Sequence, residues 1–220
     1  MLEPTPDLPL DITKLKHIIH EESMRLGLRG ISAEGESAFT LSLALSAAVK
    51  KVFYEKSSTT FSDEPRIEKR PITLFAQRMR VDAMEKFNNI TVCSVLHFGA
   101  HEVDLEKKKY LITLVIYLET AFIPEFLRLL QYPYIDSENE DEVKDGCGTL
   151  ANLIGGQYKK EISRLGYKDI MMSPPESHIN TVADGVDVPL GLTEKYQISF
   201  EVEDVKRLVV ELVTLDMLPT

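Results

Sequence analysis

The chain is expected to fold as an α+β domain: a single antiparallel-rich sheet packed by two long helices, preceded by an N-terminal helical extension. Three observations predict this. Two long stretches carry helical periodicity, one starting at Ser37 and one running from Asp145 toward Leu165. Five shorter runs, Ile72–Phe75, Ile90–Phe98, Tyr110–Leu118, Tyr196–Val202 and Leu208–Leu215, are apolar and rich in β-branched and aromatic residues. Helical stretches fall both before and among these runs, the order of an α+β domain rather than of a parallel α/β one.

Taken in order, residues 1–10 carry Pro4, Pro6 and Pro9 and are expected to be irregular. Asp11 can cap a helix bearing Leu15, Ile18, Ile19 and Leu26 that ends near Gly27, and Gly30 to Gly35 reads as a linker. Residues 1–36 are therefore an extension and 37–217 the main domain. Ser37 can cap the next helix, in which Phe39, Leu41, Leu43, Leu45, Ala47, Ala48 and Val52 leave little polar face, so burial is expected nearly all round. Residues 57–71 are polar, contain Pro65 and Pro71, and suit a loop or sheet edge. Asn88-Asn89 marks a turn, and the charged stretch from Gly99 to Lys109 joins two strands, with Lys107-Lys108-Lys109 at a solvated tip. A short helix over Ile123–Gln131 starts with Pro124 in its first turn. The acidic run from Asp136 to Asp145 leads into the second long helix, where negative charge favours the macrodipole by about 0.3–1 kcal/mol per well-placed group.

Composition excludes several function classes. The net charge of −10 argues against nucleic acid, which requires clustered Lys and Arg. No apolar run approaches the roughly 18–20 residues of a membrane span, and no signal peptide is evident, so a cytoplasmic protein is expected. Cys93 and Cys147 sit in apolar patterns and suit reduced core thiols. His17 and His20 stand three apart with Glu21 adjacent, and His97 and His101 flank Gly99, but neither pair has an evident third ligand. There is no glycine-rich phosphate loop, and the sequence around Ser37 lacks the Gly-x-Ser-x-Gly elbow of a hydrolase. No metal or cofactor of its own is expected.

The second long helix is the most informative segment. At about 100° per residue, Cys147, Leu150, Ala151, Ile154, Tyr158 and Leu165 share one broad arc. Asp145, Thr149, Asn152, Gly156 and Lys159 share a narrow stripe opposite. Asparagine is a mediocre helix former, and each of Gly155 and Gly156 costs about 1 kcal/mol relative to alanine. A carboxamide beside bare backbone points to a surface that something else approaches closely. The bland alternative is an outward polar residue with no partner.

Residues 140–176 resemble the CheX/CheC/FliY group of bacterial chemotaxis phosphatases, which dephosphorylate the response regulator CheY. That group's signature runs Asp or Ser, three residues, Glu, two residues, Asn, and then Pro after about twenty-two more. Asp145, Asn152 and Pro175 fall on it, Pro174 lies one residue out, and Thr149 stands at the Glu position. The resemblance extends more loosely over about 38–217 and implies a CheC/CheX-like sheet-and-helix fold. It also implies a phosphorylated receiver domain as partner, with Mg²⁺ held by that receiver, and a homodimer formed through the sheet. In the group, a side-chain amide orients the attacking water and an acid pairs with the receiver's lysine. Asn152 matches the amide position, Gly155, Gly156, Lys159, Pro174 and Pro175 would line the partner surface, and Thr149 cannot supply the acid. Asp145 lies on the same stripe two turns away. The helix at 38–55 offers Ser42, Ser46 and Lys50 and no Glu-x-x-Asn, which favours one site per chain. Two functions follow as alternatives: a CheX-like phosphatase, or a catalytically degenerate receiver-binding adaptor using the same helix face.

Overall fold

A computed structural model describes residues 33–57, 61, 64–191, 193–202 and 204–215. The extension helix expected at 11–27, with His17 and His20, lies outside these residues. Two 25-residue helices, α1 (Ala33–Ser57) and α5 (Glu140–Arg164), pack side by side on one face of an antiparallel sheet. The strands are β1 (Arg66–Arg70), β4 (Thr91–Gly99), β5 (Ile112–Glu119), β6 (Met171–Met172), β7 (Glu176–Ile179), β8 (Thr193–Val202) and β9 (Val205–Leu215), in the order β1-β8-β9-β5-β4-β6, with β7 also on β4. Strands β2 (Leu74–Phe75) and β3 (Arg78–Met79) form a separate hairpin. Short helices α2 (Met84–Phe87), α3 (Glu102–Glu106) and α4 (Ile123–Leu129) complete the domain.

Alternation along the central strands builds two cores. Val92, Leu96 and Phe98 of β4, Ile112, Leu114 and Ile116 of β5, and Leu208, Val210 and Leu212 of β9 face the helices. They meet Leu41, Leu45, Val49 and Phe53 of α1 and Cys147, Leu150, Ile154 and Tyr158 of α5. The Phe98 and Tyr158 rings meet edge to face, 5.7 Å apart. The intervening residues, Cys93, Val95, Val115, Tyr117, Val209 and Val213, face the other way. They are covered by Met79, Val81, Ala83, Val182, Val186 and Val188. This second cover is stitched by reciprocal backbone bonds of 2.8 Å between Met79 and Val186.

Several boundaries differ from the sequence expectation. Helix α1 begins at Ala33, inside the expected linker, because Ala33 and Glu34 are good helix formers and Gly35 alone costs too little to stop it. The run Ile72–Phe75 joins the two-residue hairpin instead of the main sheet, leaving Leu74 58% and Phe75 76% exposed. Its turn residues Ala76 and Gln77 both take positive φ, 48° and 66°. The link from Gly99 to Lys109 contains α3, and a Cβ on Gly99 would lie 3.2 Å from the Leu105 side chain. The polar stretch 57–71 does supply an edge strand, β1.

Candidate functional site

Helix α5 begins five residues before Asp145 and is firmly capped. Asn139 accepts from the amides of Asp141 and Glu142, and the Glu142 carboxylate accepts in turn from the Asn139 amide and from Asp136 N. Most of the acidic run is thus spent on the helix start. Seven residues later the helix meets α4 at Gly146, where a Cβ would lie 2.8 Å from Ile123 and 2.9 Å from Leu127. These contacts fix the rotation of the helix.

That rotation buries the expected arc as far as Tyr158, while Leu165 is half-buried and falls just past the helix end as its C-cap. Cys147, Leu150, Ala151, Ile154 and Tyr158 are at most 1% exposed. Burial pushes the Cys147 thiol up to about 12 despite a hydrogen bond from Ser94, so it stays protonated and unreactive. On the opposite stripe Asp145 and Asn152 are exposed, and Thr149, Gly156 and Lys159 partly so. Among the described residues, neither Asp145 nor Asn152 has a recorded side-chain hydrogen bond or ion pair, and a Cβ on Gly156 would meet nothing within 4 Å.

Gly155 requires a correction. Its side of the helix faces the sheet, where a Cβ would sit 2.6 Å from Met172 Sδ and 2.8 Å from Leu96 Cδ1. It is a packing glycine and belongs to no partner surface. The two glycines of the pair therefore do opposite things. Gly148, which sequence reasoning passed over, lies beside Pro175 and Ser177, with a Cβ at 3.5 and 3.4 Å from their side chains. It lets β7 run close under the helix, and Ser177 hydrogen-bonds Ser94 at 2.6 Å below it.

Pro174 and Pro175 stand in the gap between β6 and β7. Both strands pair with β4, but a proline has no N–H to donate, so the edge strand breaks there. Ser173 bridges the break, donating its N–H to His97 O at 2.8 Å and accepting His97 N at 3.0 Å. Pro174 is exposed and Pro175 partly so, beside the stripe. Glu176 does not supply the missing acid: it pairs with Val95, whose side chain lies in the second core, so it faces away from α5.

Ser42 and His97, among the remaining candidates, have structural partners. Ser42 and Ser46 of α1 are buried, and Ser42 donates to Phe39 O at 2.7 Å. His97 stacks on Tyr110 and hydrogen-bonds Thr113 at 3.1 Å, while His101 is exposed. Burial drives the His97 pKa down to about 4, and the nearby Lys108 and Arg78 charges add to that against the pull of Asp187. Among the described residues, no group of three or more His, Cys, Asp or Glu could hold a metal ion. None of their helices is long and apolar enough to cross a membrane.

No family model and no curated protein matches the chain. Solved structures do. A CheC-like superfamily protein from Shewanella sp. PV-4 aligns with TM-score 0.52 at 14% identity, covering 83% of this chain and 98% of that one. FliY from Thermotoga maritima aligns with TM-score 0.51 at 12% identity, covering 84% and 92%. The fold is the CheC/CheX-like one.

Proposed function

We propose that the outward stripe of α5 docks the receiver domain of a CheY-type response regulator, and that Asn152 orients the water that hydrolyses its aspartyl phosphate. One observation carries this proposal. An exposed asparagine that has no side-chain partner among the described residues stands beside open backbone at Gly156, on a helix whose other face is buried. In hydrolysis the water oxygen attacks phosphorus in line, the bond to the aspartyl oxygen breaks, and the aspartate leaves as a carboxylate. Catalysis of such transfer is mostly positioning and charge stabilisation. A carboxamide suits the positioning because it accepts from and donates to one water together. The resemblance assigns Mg²⁺ to the receiver, where it neutralises phosphoryl charge.

The second function, an adaptor that docks the receiver without the chemistry, is favoured by a specific feature. Thr149 carries no charge to meet a receiver lysine. Asp145 stands seven residues before Asn152, roughly 10 Å along the axis at about 1.5 Å per residue, against roughly 4.5 Å for position 149. It can attract a cation but cannot occupy the same place. A homodimer stays within this proposal on the resemblance alone, and sedimentation velocity tests it.

The experiment is decay of a phosphorylated CheY-type receiver with and without this protein. Accelerated decay that vanishes in Asn152→Ala supports the phosphatase, and Thr149→Glu should raise the rate. Unchanged decay with phosphorylation-dependent binding supports the adaptor. Binding and decay both indifferent to Asn152→Ala would remove the site assignment.

A further inference from the structure

The second face of the sheet holds a charged cleft that the α5 stripe does not account for. At its floor Glu211 of β9 is 2% exposed. It accepts from Tyr117 OH at 2.6 Å and from Lys86 Nζ at 2.6 Å, with Lys195 Nζ at 3.3 Å. Lys86 also donates to Gln197 at 2.9 Å. An inner cavity of about 130 Å³ over these groups adjoins an open cleft of about 390 Å³. Among the described residues the cleft is lined by Arg70, Lys86, Lys195 and Lys206 against Glu85 and Glu211, with Arg70 also paired to Glu68 at 2.7 Å. This cationic excess occurs in a chain of net charge −10.

Each buried ion costs several kcal/mol unless closely paired, so a surplus cation at the floor is left favouring a further anion. Here two ammoniums share Glu211. The side chain of Lys195 is 11% exposed, and its one recorded partner among the described residues is the 3.3 Å contact. Burial alone would raise the Glu211 pKa, but Lys86, Lys195 and the Tyr117 hydroxyl hold it below the usual carboxylate range. The floor is therefore ionised, and at least one lysine has donors to spare toward the opening. Ammoniums are compact point charges with three donors each, suited to a tetrahedral oxyanion.

We propose that this cleft binds a small phosphate-bearing ligand, with Lys195 and Lys86 holding the phosphate and Lys206 and Arg70 at the rim. The site lies on the sheet face opposite α5, so its success or failure is independent of receiver docking. The test is thermal unfolding and calorimetric titration of the full chain with inorganic phosphate, with succinate and chloride as parallel arms at matched ionic strength. Phosphate should stabilise saturably and more than either control. Lys195→Gln should weaken phosphate by roughly tenfold, the loss of one charge-assisted hydrogen bond. Lys206→Gln, at an exposed position outside the buried cluster, should weaken it by a smaller factor. No saturable response, an equal or larger response to succinate or chloride, or phosphate affinity unchanged in both variants would overturn the proposal.

Discussion

The two faces of the sheet are built on different physics. The helix face is filled mainly by aliphatic and aromatic side chains with small buried hydroxyls, and its one buried carboxylate among the described residues, Glu161 of α5, sits near the helix end paired with Lys51 and Arg164. The second face is covered by short segments, and charge reaches inward at Glu211 with Lys86 and Lys195, while a half-buried Asp187 pairs with Arg78 and the exposed Lys108 beside His97. Apolar burial does not depend on pH, whereas a buried titratable group does. Because α5 is held by its apolar arc and, near its end, by the pairing of Glu161 with Lys51 of α1, its polar stripe can be changed without unfolding the domain.

The largest expected effect tests the helix face. Ile154→Ala should cost about 2–5 kcal/mol by denaturant unfolding, with the same loss at pH 7 and pH 5. A loss below about 1 kcal/mol would mean that α5 is not anchored as described.

The second face should reveal itself through pH. His97 has a folded pKa of about 4 against an ordinary 6.5, so the folded state favours the neutral ring. Unfolded chains then bind more protons as pH falls, and stability drops between about 6.5 and 4, by at most about 1.4 kcal/mol per unit. His97→Gln should flatten that slope in unfolding measured across the range. Glu211 is shifted down from 4.5, so its contribution is present above that value and lost as pH falls through its lower folded pKa. A stability profile flat from pH 7 to 4 would erase the contrast between the faces.

The adjacent glycines sharpen the comparison within one helix. Gly155→Ala should destabilise by about 1–3 kcal/mol through overpacking against Leu96 and Met172. Gly156→Ala should stabilise by up to about 1 kcal/mol, having open space and better helix propensity, while weakening receiver binding. The smallest effect belongs to Asn152→Ala, within about 0.5 kcal/mol of wild type. A large loss there would show that Asn152 is structural.

Much of this was legible in the sequence, for reasons that particular residues make clear. The two faces of α5 follow from periodicity alone, since Leu150, Ile154 and Tyr158 fix the arc and Asn152 must then point away. Strands β4, β5 and β9 are apolar on both sides, and β8 alternates Tyr196, Ile198 and Phe200 with polar residues, a period-2 pattern. What was not legible depends on tertiary neighbours. Nothing local distinguishes Gly155 from Gly156; only the positions of Met172 and Leu96 do. Strands β6 and β7 are too short, and too broken by Pro174 and Pro175, to register as strands. The charged cleft joins Lys86, Lys195 and Glu211 across more than a hundred residues, which no sequence window spans.

Whether the α5 stripe is the docking face can be read from amide NMR of the full chain on adding a receiver activated with beryllofluoride, which stands in for the phosphoryl group. Docking through this stripe gives shifts clustered at Asp145, Thr149, Asn152, Gly156 and Lys159 and at Ser173 beside the prolines. Shifts confined to the Leu74–Met79 hairpin or to the second face, with α5 silent, would contradict it.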